Sequence, residues 1–250
     1  MPQVETQADR ERPVHPRKGK NDLAWWFPIL ASTGVKVPKT VIVQAPGSVV
    51  EVAYGEPCPA LAPLVASLRE AAETFGYPVF LRTGYGSGKH SWDKTCCVRS
   101  AKAMTRHVAE LIEWSECVDM IGVPTDTWAV REMLLLVSSF EAFYGKMPVN
   151  KERRYFFSKG EVVCHHPYWP EEAIKQPSDE RWWEKLAELN LETEEEIAYL
   201  SALTRSVAKA FDGAWSLDWA LAKDGNWYAI DMATANTSWH WSTCPNRTFD

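Results

Sequence analysis

Two aspartates near the carboxyl end of the chain have the spacing of a facing pair in a β-hairpin. Within residues 215–233, two segments of alternating apolar and small or polar residues flank the turn sequence KDGN. Asp-Gly between such segments is a strong hairpin signal. A two-residue turn on Asp224 and Gly225 places Asp218 directly opposite Asp231, and directly opposed Cβ atoms lie roughly 4.5–5.5 Å apart. The sequence therefore predicts two facing carboxylates.

Facing carboxylates need a partner that offsets their repulsion, because like charges directly opposed destabilise a sheet. Mg²⁺ suits this role, since it binds one or two protein carboxylates and completes its coordination with phosphates and water. The alternative is a solvated outer face on which two aspartates happen to align. Alternation places the acids among small residues, and it assigns a core face to Leu217, Trp219, Leu221, Tyr228, Ile230 and Met232.

A glycine-rich loop is the second candidate for chemistry. The segment PVFLRTGYGSGKHSW (78–92) carries alternate glycines between two strand-like runs, and such glycines let backbone amides approach an anion closely. Arg82 and Lys89 would add positive charge against phosphates. The loop is not a Walker P-loop, because its first glycine position is Thr83 and a strand follows it. The alternative is a mobile surface hairpin.

The order of the predicted elements favours an α+β fold. Alternation and β-type composition predict strands over 35–43, 78–82, 94–98, 127–137, 154–158 and 161–165. Helical spacing predicts helices over 62–75, 101–116, 181–189 and 193–211, with Ser100 as the N-cap of the second. Because these elements come in mixed order with tight hairpins, we expect antiparallel sheets rather than a doubly wound parallel sheet.

Composition limits the function classes. The net charge of −6 argues against a protein that mainly grips nucleic-acid backbone, which needs a basic face. No apolar run approaches membrane-spanning length and the N-terminus lacks the apolar stretch of a signal peptide, so we expect a cytoplasmic protein without membrane contact. The six cysteines show no metal-type spacing and are interpreted as reduced thiols.

Three histidines stand in aromatic surroundings near the chemistry-bearing segments. His165 and His166 are adjacent in a strand-like run, so they point to opposite faces and cannot readily share one metal. His240, in the segment SWHW, either contacts substrate or phosphate or belongs to a C-terminal anchor made by its tryptophans.

Four segments resemble, in order, those of ATP-grasp enzymes. Residues 78–92 resemble a strand with a phosphate-contacting basic residue and a glycine-rich lid, and WAVREML (128–134) resembles the strand that links the two lobes beside the adenine. The segment at 149–163 is similar to one that carries a ribose- or phosphate-facing acid and an arginine. Residues 215–241 resemble the terminal strand pair that holds magnesium ions.

The resemblance implies an α+β ATP-grasp fold, in which two lobes with antiparallel sheets enclose a nucleotide cleft. It implies a disordered tail at 1–22, an N-terminal lobe with the glycine-rich loop at 23–134, and a C-terminal lobe with the metal-binding hairpin at 135–250. The family usually has Lys at the position of Arg82. An Arg there is typical of a branch common in phages and bacterial conflict systems.

The resemblance also implies ATP and Mg²⁺ as cofactors and assigns roles to individual residues. Arg82 and Arg154 would be catalytic, with Arg82 at the phosphates. The nucleotide-binding residues would be Arg82, Gly86, Ser87, Gly88, Lys89, Glu132, Met133 and Leu134, with Glu152 or Glu141 at the ribose. The metal ligands would be Asp218, Asp231 and Asn236, the last because Ala233 stands where the family has a metal-binding Asn.

The implied activity is the ATP-dependent joining of a carboxylate to an amine through an acylphosphate, with a small-molecule or peptide acceptor. A compact eukaryotic cell-division-cycle branch of the family, with a similar Ser/Trp-rich ending, acts in assembling a translation factor. A non-catalytic ATP-binding assembly factor is therefore the first alternative. The second is a nucleic-acid-end ligase or base-stacking module that uses the 13 tryptophans.

Overall fold

A computed structural model of the protein describes residues 19–242 and residue 244. The helices are α1 (Leu23–Ser32), α2 (Leu61–Glu73), α3 (Met104–Glu116), α4 (Trp182–Asn190) and α5 (Glu194–Ala208). The strands are β1 (Thr40–Gln44), β2 (Val79–Thr83), β3 (Cys97–Val98), β4 (Thr127–Glu132), β5 (Ser138–Ala142), β6 (Met147–Asn150), β7 (Glu152–Ser158), β8 (Glu161–Pro167), β9 (Ala214–Leu221) and β10 (Trp227–Thr234). None of the described helices is both long enough and apolar enough to cross a membrane.

The N-terminal sheet is antiparallel, with strand order β1-β4-β2-β3. Alternation along β4 points Trp128 and Val130 into a core shared with apolar residues of α2 and α3. Arg131 points to the opposite face, where it is paired with Phe80, and Arg82 is paired there with Ala129. One face of this sheet is therefore covered by helices and the other carries two arginines.

The C-terminal sheet is also antiparallel, with order β10-β9-β7-β8. Its apolar face, which includes Tyr155, Leu217 and Trp219, packs in one core with residues of α1 and α5. Its other face carries Arg154 directly opposite Asp218. The predicted α+β architecture with two antiparallel sheets is confirmed.

The C-terminal hairpin confirms the facing acids but corrects the predicted faces. Asp218 lies opposite Asp231 as predicted, but Trp219 is paired with Ala229 because the register shifts between Ala229 and Asp231. Near the turn, Ala229 and Trp227 therefore belong to the core, whereas Tyr228 and Ile230 were assigned to it. The turn causes this difference: Ala222 donates to the carbonyl of Asn226, which leaves a three-residue loop instead of two.

Gly225 in this loop has φ +79°, the left-handed position that closes a three-residue hairpin. The loop displaces the register by one residue, and the bulge at Ile230 restores it before Asp231. The predicted pairing of the two aspartates was thus correct although both the turn length and the regular ladder were wrong.

Four other predicted elements differ in extent. The run 127–137 is not one strand, because β4 ends at Glu132 and β5 begins at Ser138. The helix at 101–116 begins as a 3₁₀ turn, and the side chain of Ser100 makes no capping bond. The strand predicted over 35–43 forms only from Thr40, and that predicted over 94–98 is reduced to β3. The hairpin turn at 159–160 is confirmed.

The predicted tail at 1–22 is described only from Gly19 onward. Asp22 caps α1, since its carboxylate accepts from the amide of Ala24 at 2.9 Å. Asn21 accepts from the amide of Thr234 at 2.7 Å. Residues 19–22 are therefore part of the packed structure, and residues 1–18 lie outside the described part of the chain.

Arg153→Met is expected to lower the free energy of unfolding by about 3 kcal/mol. The Arg153 side chain is fully buried; it donates to Glu196 at 2.6 Å and to the carbonyls of Leu189 and Leu191 at 3.0 and 2.8 Å. Urea denaturation measures the change. Arg205→Met, which removes an exposed pair with Glu161, should cost less than about 1 kcal/mol. Equal losses in the two variants would contradict the assignment.

Candidate active site

Residues of both sheets line a cleft of about 390 Å³. Its floor comes from β7, β9 and β10, and its other wall from β2, β4 and the glycine-rich loop. The cleft brings together most of the predicted site residues, which are Arg82, Gly86, Ser87, Gly88, Lys89, Glu132, Met133, Leu134, Glu152, Asp218 and Asp231.

Arg82 and Asp231 form an ion pair that bridges the two sheets. Nη1 of Arg82 donates to Oδ1 of Asp231 at 2.8 Å. The Arg82 side chain is 5% exposed, whereas that of Asp231 is 44% exposed. Burial disfavours the charged form of Asp231, but the Arg82 guanidinium outweighs it and holds the pKa of this carboxyl below its ordinary value. Asp231 is therefore ionised at neutral pH and open to the cleft.

Arg131 is a buried cation that the sequence-based assignment missed. It lies in the cleft over the ring of Phe27, and its Nη1 donates to the carbonyl of Ile230 at 2.6 Å. Its Nε and Nη2 have no acceptor among the described residues. Burial, and then repulsion from Arg82, lower the pKa of Arg131 to about 9. Alternation along β4 could have identified it, because Arg131 is the one charged residue on the face of Ala129.

Asp218 is held by a second arginine. Arg154 donates to both carboxylate oxygens of Asp218, from Nε and Nη2, each at 2.7 Å. Its Nη1 donates to the carbonyl of Trp239 at 3.0 Å, and its guanidinium lies 4.6 Å from the centre of the Tyr168 ring. Such bidentate pairing fixes both side chains. Asp218 and Asp231 therefore lie side by side, each with an arginine counter-ion.

Lys89 connects the glycine-rich loop to the floor of the cleft. Its Nζ lies 3.6 Å from Oε2 of the buried Glu152 and 4.0 Å from the centre of the Tyr168 ring. Burial opposes the charge, but the Glu152 carboxylate outweighs it and raises the pKa of Lys89 above its ordinary value. Asn150 donates to the other oxygen of Glu152 at 3.3 Å. Tyr168 and Asn150 are further cleft residues that the sequence analysis did not identify.

The glycine-rich loop is ordered by its own hydrogen bonds, contrary to a mobile surface hairpin. The amide of Gly86 donates to the Thr83 hydroxyl at 3.2 Å, and the Thr83 amide donates to the Gly86 carbonyl at 2.8 Å. Thr95 donates from its hydroxyl to the carbonyl of Gly88 at 2.8 Å. A Cβ at Gly86 would overlap the ring of Trp114, so glycine is needed there for close approach.

Gly86→Ala is expected to weaken ATP binding about tenfold, since the new methyl group must displace the loop or the ring of Trp114. Calorimetric titration with ATP measures the change. Gly19→Ala is the control, because nothing lies within 4 Å of a Cβ at Gly19 and its amide still donates to Tyr85 of the loop. An unchanged affinity in Gly86→Ala would show that the loop takes no part in nucleotide binding.

The far end of the cleft is apolar. Met133 and Leu134, which follow β4, line it with Pro38, Leu136 and Met147. The carboxylate of Glu132 accepts from the amide of Lys39 at 2.8 Å. This carboxylate thereby ties β4 to the segment before β1 at the rim of the cleft.

Two predicted residues are not brought to the cleft. Glu141 is exposed on β5 because Phe140 and Ala142, on either side of it, pack into the neighbouring core. Asn236 is exposed in the 3₁₀ turn that follows β10, where Ala235 is the buried residue. The assignments of Glu141 at a ribose and of Asn236 as a metal ligand therefore have no support from their positions.

The two aspartates fit a hard divalent cation. Oδ1 of Asp231 accepts from Arg82 and from the amide of Met232 at 3.0 Å. No hydrogen bond from the described residues reaches its Oδ2, and the side chain is open to the cleft. Carboxylate oxygens are the ligands that Mg²⁺ prefers. Asp218 contributes a second carboxylate, whose oxygens are both engaged by Arg154.

The sequence matches, over residues 71–249, the model of a family described as an ATP-grasp domain, the third family of its clade. No curated protein matches it. The fold is similar to the biotin carboxylase domain of 2-oxoglutarate carboxylase from Hydrogenobacter thermophilus, with a TM-score of 0.52 and 15% identity over 86% of this chain and 39% of that one. It is also similar to biotin carboxylase from Campylobacter jejuni, with a TM-score of 0.51 and 15% identity over 86% and 40%. The chain thus spans about two fifths of the length of these structures.

Proposed function

Because this chain belongs to that family of ATP-grasp domains, we propose that it is an ATP- and Mg²⁺-dependent ligase that joins a carboxylate to an amine. The observation that carries the proposal is the pair of buried arginines, Arg82 and Arg131, which share the single carboxylate of Asp231. Adjacent buried cations with unpaired donors favour an anionic ligand. A polyphosphate beside Asp218 and Asp231 meets this requirement.

The proposed reaction has two steps. The γ-phosphoryl group of ATP is transferred to a carboxylate oxygen of the substrate, which forms an acylphosphate and releases ADP. An amine then attacks the acyl carbon, the bond from carbon to the phosphate oxygen breaks, and inorganic phosphate leaves as the nitrogen loses a proton. Catalysis of this kind is mainly positioning and charge stabilisation.

The residues of this chain would supply that stabilisation. Arg82, Arg131 and Lys89 lie around the cleft where the phosphates would bind, and the amides of the glycine-rich loop would close over them. Met133 and Leu134 would contact the adenine, and Glu152 would face the ribose. Arg154, tied to Asp218, would orient the carboxylate to be activated.

Mg²⁺, when bound, would neutralise charge on the phosphates, and Asp218 and Asp231 would hold it. Support for the nucleotide and metal comes from the family and from the fold's similarity to a structure that contains MgADP, ADP and bicarbonate. The Arg at position 82 supports a place in the branch common in phages and bacterial conflict systems. The free thiols of the described cysteines support a cytoplasmic location.

The test is incubation with Mg-ATP and a pool of amino acids and peptides, with products identified by mass spectrometry. The proposal expects ADP and phosphate, together with a condensed product whose mass equals the two substrates minus water. AMP with pyrophosphate would contradict the acylphosphate route. Tight Mg-ATP binding without turnover for any acceptor would instead favour the assembly-factor alternative.

A further inference from the structure

A cluster of two thiols and an imidazole lies outside the nucleotide cleft. Cys164 is on β8, whereas His240 and Cys244 belong to the segment after β10. Their ligand atoms all lie within 4.8 Å of one another, and Sγ of Cys164 is 2.9 Å from Nε2 of His240. Residues far apart in the sequence are therefore joined at one point, although the cysteines show no metal-type spacing along the chain.

The chemistry of this donor set is that of a zinc-type site. Thiolate and imidazole are the ligands that Zn²⁺ prefers, at distances of about 2.3 Å to sulfur and about 2.0 Å to nitrogen. Tetrahedral coordination at those lengths separates the ligand atoms by roughly 3.5–3.8 Å. The observed cluster falls within reach of that geometry. Two thiolates with one neutral imidazole also leave a bound divalent cation with no net charge, which suits a partly buried position.

The surroundings hold the ligands and offer a fourth. The ring of Phe156 stacks on that of His240 with centroids 4.1 Å apart. His166, which is 5% exposed, lies with its ring 5.5 Å from that of His240. Its Nδ1 donates to the carbonyl of Pro167 at 2.7 Å, so its Nε2 keeps a lone pair, and Nε2 has no partner among the described residues. A buried lone pair beside the cluster is a fourth donor.

We propose that Cys164, His240 and Cys244 form a structural site for a divalent cation of the Zn²⁺ class, distinct from the aspartate pair in the cleft. The cation would tie the segment after β10 to the edge strand β8. This segment also provides the Trp239 carbonyl that accepts from Arg154. The site therefore positions Arg154 and the wall beside Asp218.

Binding of the cation balances by proton release. Two S–H bonds break as two metal–sulfur bonds form, and two protons pass to solvent for each ion bound. Burial, and then the neighbouring Cys244, raise the pKa of Cys164, so this thiol is protonated before the metal binds. No oxidant or reductant is required.

The first experiment titrates the metal-free, reduced full-length protein with Co²⁺ and then Zn²⁺. We expect one equivalent of Co²⁺ to produce near-ultraviolet sulfur-to-cobalt absorption, which Zn²⁺ abolishes with release of about two protons per ion in weak buffer. The variant Cys164→Ser/Cys244→Ser should lose this band. Cys117→Ser, which removes an exposed cysteine elsewhere, should retain it. An unchanged band in the double variant, or no stoichiometric binding to the wild type, would overturn the proposal.

Two further measurements separate the remaining outcomes. A disulfide between Cys164 and Cys244 in the purified protein, found by mass spectrometry without reductant, would also overturn it. Chymotrypsin cleaves after tryptophan, and Trp239 and Trp241 flank His240. Zn²⁺ should slow cleavage at these two positions at least tenfold in the wild type and not in the double variant. Neither readout involves ATP, so failure of this site and failure of the proposed ligase function are distinguishable.

Discussion

Asp231→Asn is expected to abolish Mg²⁺-dependent ATP binding while the protein remains folded. Asparagine keeps the shape of the side chain but removes the charge that holds Arg82 and that would bind the cation. The side chain is 44% exposed, so its loss should disturb the fold little. Loss of one member of such a charge pair in a binding site weakens affinity on the order of 100-fold. Calorimetric titration with ATP, with and without Mg²⁺, measures the effect.

Asp224→Asn is the matched control for this variant. Asp224 is a carboxylate on the same hairpin, where it accepts from the amide of Asn226 in the exposed turn. Asparagine can make the same bond, so Mg²⁺-dependent ATP binding should stay within about twofold of wild type. Binding of Mg-ATP by Asp231→Asn with wild-type affinity would remove the aspartate pair from the nucleotide site.

Arg82→Ala is expected to weaken ATP on the order of 100-fold and adenosine less than about threefold. The two ligands differ only in the phosphates, and the guanidinium of Arg82 lies beside Asp231 at the phosphate end of the cleft. The substitution also removes repulsion that lowers the pKa of Arg131. Arg131 therefore takes over part of the charge, and complete loss of binding is not expected. Competition against a fluorescent nucleotide measures both affinities.

Two variants sharpen this result. Arg99→Ala removes an arginine of the same sheet that pairs with Asp93 at the surface, and neither ligand should be affected. Arg82→Lys keeps the charge but loses the planar donor set, so its ATP affinity should lie between those of wild type and Arg82→Ala. Equal losses of ATP and adenosine in Arg82→Ala would indicate a collapsed cleft and would remove Arg82 from the phosphates.

The cleft contains more positive charge than its own carboxylates offset. The cations Arg82, Arg131, Arg154 and Lys89 face the acids Asp218, Asp231 and Glu152. A nucleotide bound with a divalent cation brings negative charge to such a site. The arrangement explains why acidic ligands are favoured there although the whole chain has a net charge of −6.

Local patterns in the sequence were sufficient for the elements and for the facing aspartates. Period-two alternation and the Asp-Gly turn predicted the hairpin, and the order of helices and strands predicted the α+β class. The face of Tyr228 and Ile230 was wrong, because turn length and a bulge are decided by how β10 packs against the core. A regular ladder is the default assumption from sequence, and a bulge has no signature within it.

The sequence by itself determined which residues carry charge and where each strand alternates, because these follow from side-chain chemistry and a local geometric repeat. Only the tertiary structure decided which distant groups meet. It placed Arg82 on Asp231 and Arg154 on Asp218, excluded Glu141 and Asn236 from the cleft, and revealed Arg131. It also joined Cys164 to His240 and Cys244. The physical reason is that sheet order and the packing of two sheets across a cleft are set by burial summed over the whole chain, and no short segment contains that information.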